Sequence, residues 1–237
     1  ADRIVFISPS AQSHLMDRYI PRRLRDSIWN KSEVIPNGID DFWLRNVYTR
    51  PSRPCTSKSV SLLYVGEISK NKNIETSIMV TDTLQERGYD ARLDIVGDGP
   101  CMHRIAEMAR ERPRSVRTHG RIASMDKLMG MYQKADVFIM PSITETFGLV
   151  YAEAMSQGLP IIYTRGQGID GYFEDGLVGY GCAPRDHETM ADRVEQILKN
   201  YDSICANCIE YVYDFEWSRV ASRYERIYAS LGRHDLS

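Results

Sequence analysis

Short apolar runs alternate with stretches of helical spacing along almost the whole chain. Ile4-Val5-Phe6-Ile7, Ser61-Leu62-Leu63-Tyr64-Val65, Leu93-Asp94-Ile95-Val96 and Val137-Phe138-Ile139-Met140 have the length and β-branched or aromatic content of strands. Shorter runs at Glu33-Val34-Ile35-Pro36, 116–120 and Pro160-Ile161-Ile162-Tyr163 read the same way. Near-continuous apolar runs of this kind belong to parallel strands covered on both faces. Between them, apolar positions three and four apart predict helices. They are carried by Ile74, Ile78 and Leu84; by a stretch from about 101 to 112; and by Leu128, Met131 and Tyr132 within 125–134. Further on come Leu149, Ala152 and Met155; Met190, Val194 and Ile197 within 186–198; and a helix through Ile204 and Cys208. A closing helix over about 216–231 carries a wide stripe of Trp217, Val220, Tyr224, Ile227 and Tyr228. Strands alternating with helices at this spacing predict an α/β fold, a doubly wound, Rossmann-like parallel sheet over about 60–212.

Turn chemistry places the joints. Asn37-Gly38-Ile39-Asp40 is a tight turn after the second short strand, and the polar stretch through Pro51, Ser52 and Pro54 has little periodicity and reads as a linker. Five glycines between 165 and 179 predict a loop that passes close to a ligand or a partner domain.

Composition narrows the class. A chain of 237 residues, 43% hydrophobic and 26% charged, is long enough for one large domain or a domain plus part of another. A net charge of −2 argues against a dedicated nucleic-acid binder. No apolar run is long enough to span a bilayer and no signal peptide is evident; entering directly on a strand, the chain reads as a fragment. Five scattered cysteines (55, 101, 182, 205 and 208) fit free thiols and a cytoplasmic location. Cys205 and Cys208 have metal-like spacing, but without a second pair or a nearby His the better reading is chance spacing on a helix, and no metal site is expected. Arg18, Arg22, Arg23, Arg25 and Lys31 cluster around Tyr19, Leu24 and Trp29. That is either a solvated helix edge, the simpler reading, or a weak contact with an anionic membrane surface, which would make the protein peripheral at the inner membrane face.

The candidate chemistry lies at 144–160, a loop and helix between two strands. In open α/β sheets ligands bind at the carboxyl ends of strands. Phe147, Gly148 and Leu149 fall where the first N–H groups of the helix have no internal acceptor, a natural anion site such as a diphosphate would use. Gly148 lets a ligand approach the backbone. A carboxylate beside an anion site repels the anion, so Glu145 suits a neutral hydroxyl-bearing group and Glu153 a second set of hydroxyls. A nucleotide sugar offers diphosphate and both sets of hydroxyls. On spacing alone, an amphipathic helix with two solvated Glu remains the stronger reading.

The two Glu eight positions apart, with Phe-Gly-Leu between them and Gly-Leu-Pro following, resemble the donor-site motif of the family 4 (group 1) retaining glycosyltransferases of the GT-B fold. The resemblance covers nearly the whole chain. Gly97-Asp98-Gly99-Pro100 is similar to a turn of that family, and Asp170 stands where the family commonly has Glu. Gly66 is the Gly of the family's Gly-Arg, and Lys72 matches the Lys five residues after that Arg; these two cations grip the donor diphosphate. Glu67 stands in place of the Arg, a reversal of charge beside the phosphates. The resemblance implies Glu145 and Lys72 as catalytic residues. It implies Gly66, Glu67, Lys72, Ile122, Phe147, Gly148, Leu149 and Glu153 as donor-binding residues, with Glu145 on the transferred sugar and backbone near Arg121 and Ile122 on the base.

It also implies a division of the chain: 1–37 the last strand and helix of an N-terminal acceptor-binding domain, 38–58 a linker, 59–213 the donor-binding domain, and 214–237 a crossover helix. The expected activity is retaining sugar transfer from a nucleoside diphosphate sugar in polysaccharide biosynthesis. No cofactor is needed, because cations and a helix N-terminus can neutralise the leaving diphosphate. This fragment alone is expected to be inactive. A catalytically degenerate nucleotide-sugar-binding subunit is the alternative, with Glu67 as its best support. A sugar-nucleotide epimerase on the same fold lacks any His pair to support it.

Overall fold

The computed structural model describes residues 1–53 and 57–231. Pro54 of the expected linker, Cys55, and the tail of the closing segment from 232 onward lie outside the described residues.

A small parallel pair comes first: β1 (Ile4–Phe6), α1 (Pro9–Arg18), α2 (Arg22–Trp29) and β2 (Ser32–Val34). Ser8 caps α1, its hydroxyl accepting from the Ala11 N–H at 3.1 Å, and Pro9 occupies the first turn, where its missing N–H costs nothing. A short helix α3 (Asp41–Arg45) follows, capped by the Asp40 carboxylate.

The main sheet holds six parallel strands: β3 (Ser59–Val65), β4 (Asp90–Val96), β5 (Val116–Thr118), β6 (Val137–Ile139), β7 (Ile161–Thr164) and β8 (Gly179–Cys182). Their order, β5-β4-β3-β6-β7-β8, reverses direction at β3/β6, as in a doubly wound dinucleotide-type sheet. The helices are α4 (Ile74–Glu86), α5 (Met102–Arg110), α6 (Met125–Lys134), α7 (Leu149–Ser156), α8 (His187–Lys199), α9 (Tyr201–Tyr211) and α10 (Trp217–Leu231). They sandwich strands whose central residues, such as Leu62, Leu63, Phe138 and Ile162, have no exposure at all.

Two elements depart from the sequence reading. The stretch expected to be a polar linker contains α3 and is bolted down. Trp43 is buried edge-on against Tyr132. The Arg50 guanidinium donates to the Gln157 carbonyl, the Tyr201 hydroxyl and the Tyr132 carbonyl. The strand β8 lies at the end of the expected glycine-rich loop, because Gly-Tyr-Gly-Cys shows no apolar alternation. Its register with β7 explains the glycine: a Cβ on Gly179 would sit 1.8 Å from the Ile161 carbonyl oxygen.

The stripe on α10 is only partly open. Val220 and Ile227 pack with Ile35 and Val5 of the small parallel pair, whereas Trp217 and Tyr228 are exposed. Among the described residues four cysteines carry free thiols. Burial pushes Cys205 up to about 12, so it stays a protonated, inert thiol at neutral pH. Cys205 and Cys208 belong to the hydrophobic core, and no His/Cys/Asp/Glu group suited to a metal occurs among the described residues. No described helix is long and apolar enough to cross a membrane.

Candidate functional site

The loops after β3, β4, β6 and β7 meet at the carboxyl edge of the sheet, around the point where strand order reverses. The β3 loop carries the first group. Gly66 is followed by Glu67, whose carbonyl accepts from the buried Tyr64 hydroxyl at 2.7 Å. Burial, then the negative charges of Glu145 and Glu67, push the Tyr64 phenol up, so it remains a neutral donor that pins this turn. The 3₁₀ turn Lys70–Lys72 ends at Asn73, the one described non-glycine residue with positive φ. Asn tolerates the left-handed region, and its side-chain N–H donates to the Pro141 carbonyl at 3.0 Å and to that of Pro184.

A cavity of about 520 Å³ opens beside this loop, lined by Gly66, Glu67, Gly97, Asp98, Arg121 and Ile122, with Leu128 of α6 on one wall. Gly66, Glu67 and Ile122 from the sequence reading therefore come together. A Cβ on Gly97 would lie 1.8 Å from the Gly66 carbonyl oxygen, so only glycine lets these two loops touch. Arg121 stands in the same cavity as Glu67.

The second group surrounds the start of α7. Lys72 Nζ lies 2.5 Å from Glu145 Oε2, with both side chains largely buried, so the two expected catalytic residues form one ion pair. Glu145 is held in place from three sides. Its N–H donates to Gln167 Oε1, its carbonyl accepts from the Gly168 N–H, and its Oε1 accepts from the Thr146 N–H. The Asn71 amide clamps Thr144 from both sides, donating to its carbonyl at 2.7 Å and accepting from its N–H at 3.0 Å. Gly148 caps α7 with φ 79. The N–H groups of Phe147, Gly148 and Leu149 donate to no group among the described residues, which leaves them free for an anion. The Phe147 side chain turns inward against Tyr172 and Phe215, while Leu149 is exposed.

Glu153 sits apart from the cavity lining. It lies one turn into α7, where the Tyr132 hydroxyl donates to its Oε2 at 3.0 Å. Neither Glu153 nor Tyr132 is among the residues that line the cavity. Burial raises the Glu153 pKa above 4.5; the Tyr132 hydrogen bond opposes this and the Asp40 charge adds to it. A raised carboxyl pKa means folding disfavours the ionised form, so Glu153 destabilises the native state above its folded pKa and is relieved as pH falls through it. Glu153→Gln is therefore expected to raise the urea midpoint at about pH 8, with the gain shrinking as pH approaches about 5. An equal change at both pH values would show that ionisation is not the cause.

Sequence reasoning missed Asn71, Gln167 and Tyr64. Asn71 adjoins Lys72, but nothing local says that its amide crosses to another loop. Tyr64 belongs to an apolar strand, and the period of that strand says nothing of where its hydroxyl donates.

This architecture is the Rossmann-like unit of the GT-B glycosyltransferases. Sucrose-phosphate synthase from Thermosynechococcus elongatus superposes with a TM-score of 0.72 at 23% identity, covering 99% of this chain and 59% of that one. Alr3699/HepE of Anabaena, in a complex with UDP-glucose, superposes with a TM-score of 0.70 at 18% identity, covering 97% of this chain and 64% of that one. The family model for glycosyl transferases group 1 matches residues 50–215, and the chain belongs to that family. It is 28% identical over 210 residues to a glycogen synthase of Mycobacterium tuberculosis (84% of this chain, 49% of that protein). It is 34% identical over 179 residues to the sulfoquinovosyl transferase SQD2 of Arabidopsis thaliana (74% of this chain, 34% of that protein). The chain thus spans about half or less of the length of these curated relatives.

Proposed function

We propose that this chain is the donor-binding half of a retaining glycosyltransferase that takes a nucleoside diphosphate sugar as donor and needs no further cofactor. The observation that carries the reading is the Lys72–Glu145 pair beside the N–H groups that open α7. An ammonium and a helix N-terminus supply positive potential for a leaving diphosphate, the charge that must be stabilised when the anomeric C–O bond breaks. The carboxylate beside them suits the hydroxyls of the transferred sugar, and the cavity at Gly66 and Ile122 suits the nucleoside, with Glu153 assigned to the ribose hydroxyls on the family resemblance. Complexes of neighbouring folds with UDP and UDP-glucose support this class of donor. Retention of configuration rests on the family resemblance.

Calorimetry of the chain against common nucleoside diphosphate sugars tests the proposal. Binding of at least one donor, and of its free nucleoside diphosphate, is the expected result; binding of none would overturn it. Glu145→Gln should weaken the full donor while leaving the bare nucleoside diphosphate nearly unchanged. Equal loss for both would remove Glu145 from the sugar.

Transfer also needs an acceptor held in near-attack geometry and shielded from water. We assign that task to an N-terminal acceptor-binding domain, of which β1–α1–α2–β2 forms the last part. The chain alone should bind donor without efficient transfer, and joining it to an N-terminal acceptor-binding domain should restore transfer. Efficient transfer by the 237-residue chain would place the acceptor site within it. The exposed Tyr19, Leu24 and Trp29 among arginines support a weak peripheral contact of this part with anionic lipid. A catalytically degenerate binding subunit is the second reading, favoured by Glu67 where the family has Arg; donor binding without transfer in the complete two-domain protein would establish it.

A further inference from the structure

A second cavity, of about 510 Å³, lies between α10 and the loop after β7 and shares no lining residue with the cavity at Gly66 and Ile122. Its floor is aromatic. Phe215 is fully buried and meets Phe147, Tyr172 and Phe173 edge-on, and Tyr172 and Phe173 are partly buried. Its wall is one face of α10, where Arg219, Arg223 and Arg226 recur at helical spacing. With Asp214 the lining carries three guanidinium groups against one carboxylate, on a chain whose net charge is −2.

The three arginines are not equivalent. Arg219 is matched by Asp214 at 3.2 Å and Glu216 at 3.9 Å. Arg223 donates to the Val34 carbonyl and lies 3.7 Å from Glu33, a loose pairing. Arg226 makes no ion pair among the described residues. Arg223 and Arg226 are three residues apart on α10, and both line the cavity together with Tyr172, Phe173 and Phe215. A guanidinium fork matches the oxygens of a phosphoryl group, and an aromatic floor accepts a flat apolar body. The volume suits one small molecule and exceeds what a bare anion needs.

We infer that this cavity binds a small phosphate ester with an aromatic body, the phosphoryl group on Arg226 and Arg223 and the ring on Tyr172 and Phe173. The site is distinct from the donor site and does not depend on the proposed transferase activity. Its floor continues through Phe215 to Phe147, the residue before the cap of α7, and the Tyr172 hydroxyl donates to the Ile7 carbonyl of the small parallel pair at 2.7 Å. An occupant would therefore touch elements that hold both units of the chain.

The test is calorimetric titration of the 237-residue chain with phenyl phosphate, and with inorganic phosphate as the comparison. Phenyl phosphate should bind at least tenfold more tightly than inorganic phosphate. Arg226→Gln should weaken it at least fivefold with the thermal midpoint unchanged, and Lys72→Ala should leave it unaltered. Three results would overturn the inference: no binding of phenyl phosphate, equal binding of the two probes, or loss on Lys72→Ala but not on Arg226→Gln, which would put the probe in the donor site. Phe173→Leu provides a second variant, expected to weaken phenyl phosphate while leaving the inorganic ion unaffected.

Discussion

Lys72→Ala is expected to weaken binding of the donor's nucleoside diphosphate by about 1.5–3 kcal/mol, roughly tenfold to more than a hundredfold in Kd. That is the scale of one charge-assisted hydrogen bond to a phosphoryl oxygen. The structure adds a second consequence. Lys72 Nζ lies 2.5 Å from Glu145 Oε2, and the Glu145 side chain is only 11% exposed. Removing the ammonium leaves this carboxylate unpaired and nearly dry, beside the place where the diphosphate must enter. Its repulsion then adds to the lost attraction. The single variant should therefore lose more than the pair Lys72→Ala/Glu145→Gln, with a coupling of about 0.5–3 kcal/mol in a double-mutant cycle. Calorimetry of the four proteins with the same nucleoside diphosphate reads both numbers. Unchanged affinity in Lys72→Ala would remove the diphosphate from this site altogether. Strict additivity would show that the ion pair is not kept in solution.

A large effect on stability should come from Gly97→Ala, a change of one methyl group. Gly97 has φ +145, and an added Cβ would meet the Gly66 carbonyl oxygen at 1.8 Å. That oxygen is backbone, and the Gly66 N–H is itself bonded to the Val96 carbonyl at 3.0 Å, so neither loop can yield cheaply. A cost above about 4 kcal/mol is expected, in the tail reserved for backbone collisions and strain. Nucleoside diphosphate binding should fall with it, because Gly66, Gly97 and Ile122 line one cavity. Gly88→Ala is the control. It too has positive φ, +84, but no atom lies within 4 Å of the added Cβ, so about 1 kcal/mol is expected. Urea midpoints of the two variants separate collision from conformational strain; equal losses would mean that the strands part easily at Gly97.

Hydrophobic period determined most of the elements. Apolar runs at 61–65, 93–96 and 137–140 became the central strands, and the spacing of Leu128, Met131 and Tyr132 fixed α6 at Met125–Lys134. Such patterns are legible because each residue's burial depends mainly on the period of its own element. The motif at 144–153 was equally local: a loop, a left-handed Gly148 and the first turn of a helix. Where the pattern is silent, the sequence misleads. Gly179–Cys182 has too little apolar surface to announce a strand and becomes one only because β7 offers a free edge. Asp40 to Arg45 resembles linker because Trp43 needs Tyr132, almost ninety residues away, to be a core residue.

The site's electrostatics were decided by tertiary structure. Lys72 and Glu145 are 73 residues apart in sequence, and their meeting follows from the β3 and β6 strands lying side by side, an order that no period encodes. The raised pKa of Glu153 likewise comes from burial between packed elements, with the hydrogen bond from Tyr132 of another helix opposing it. Residue types near a loop state which charges are available. The distance between two charges and their exposure to water set their energy, and both arise only when separate elements pack.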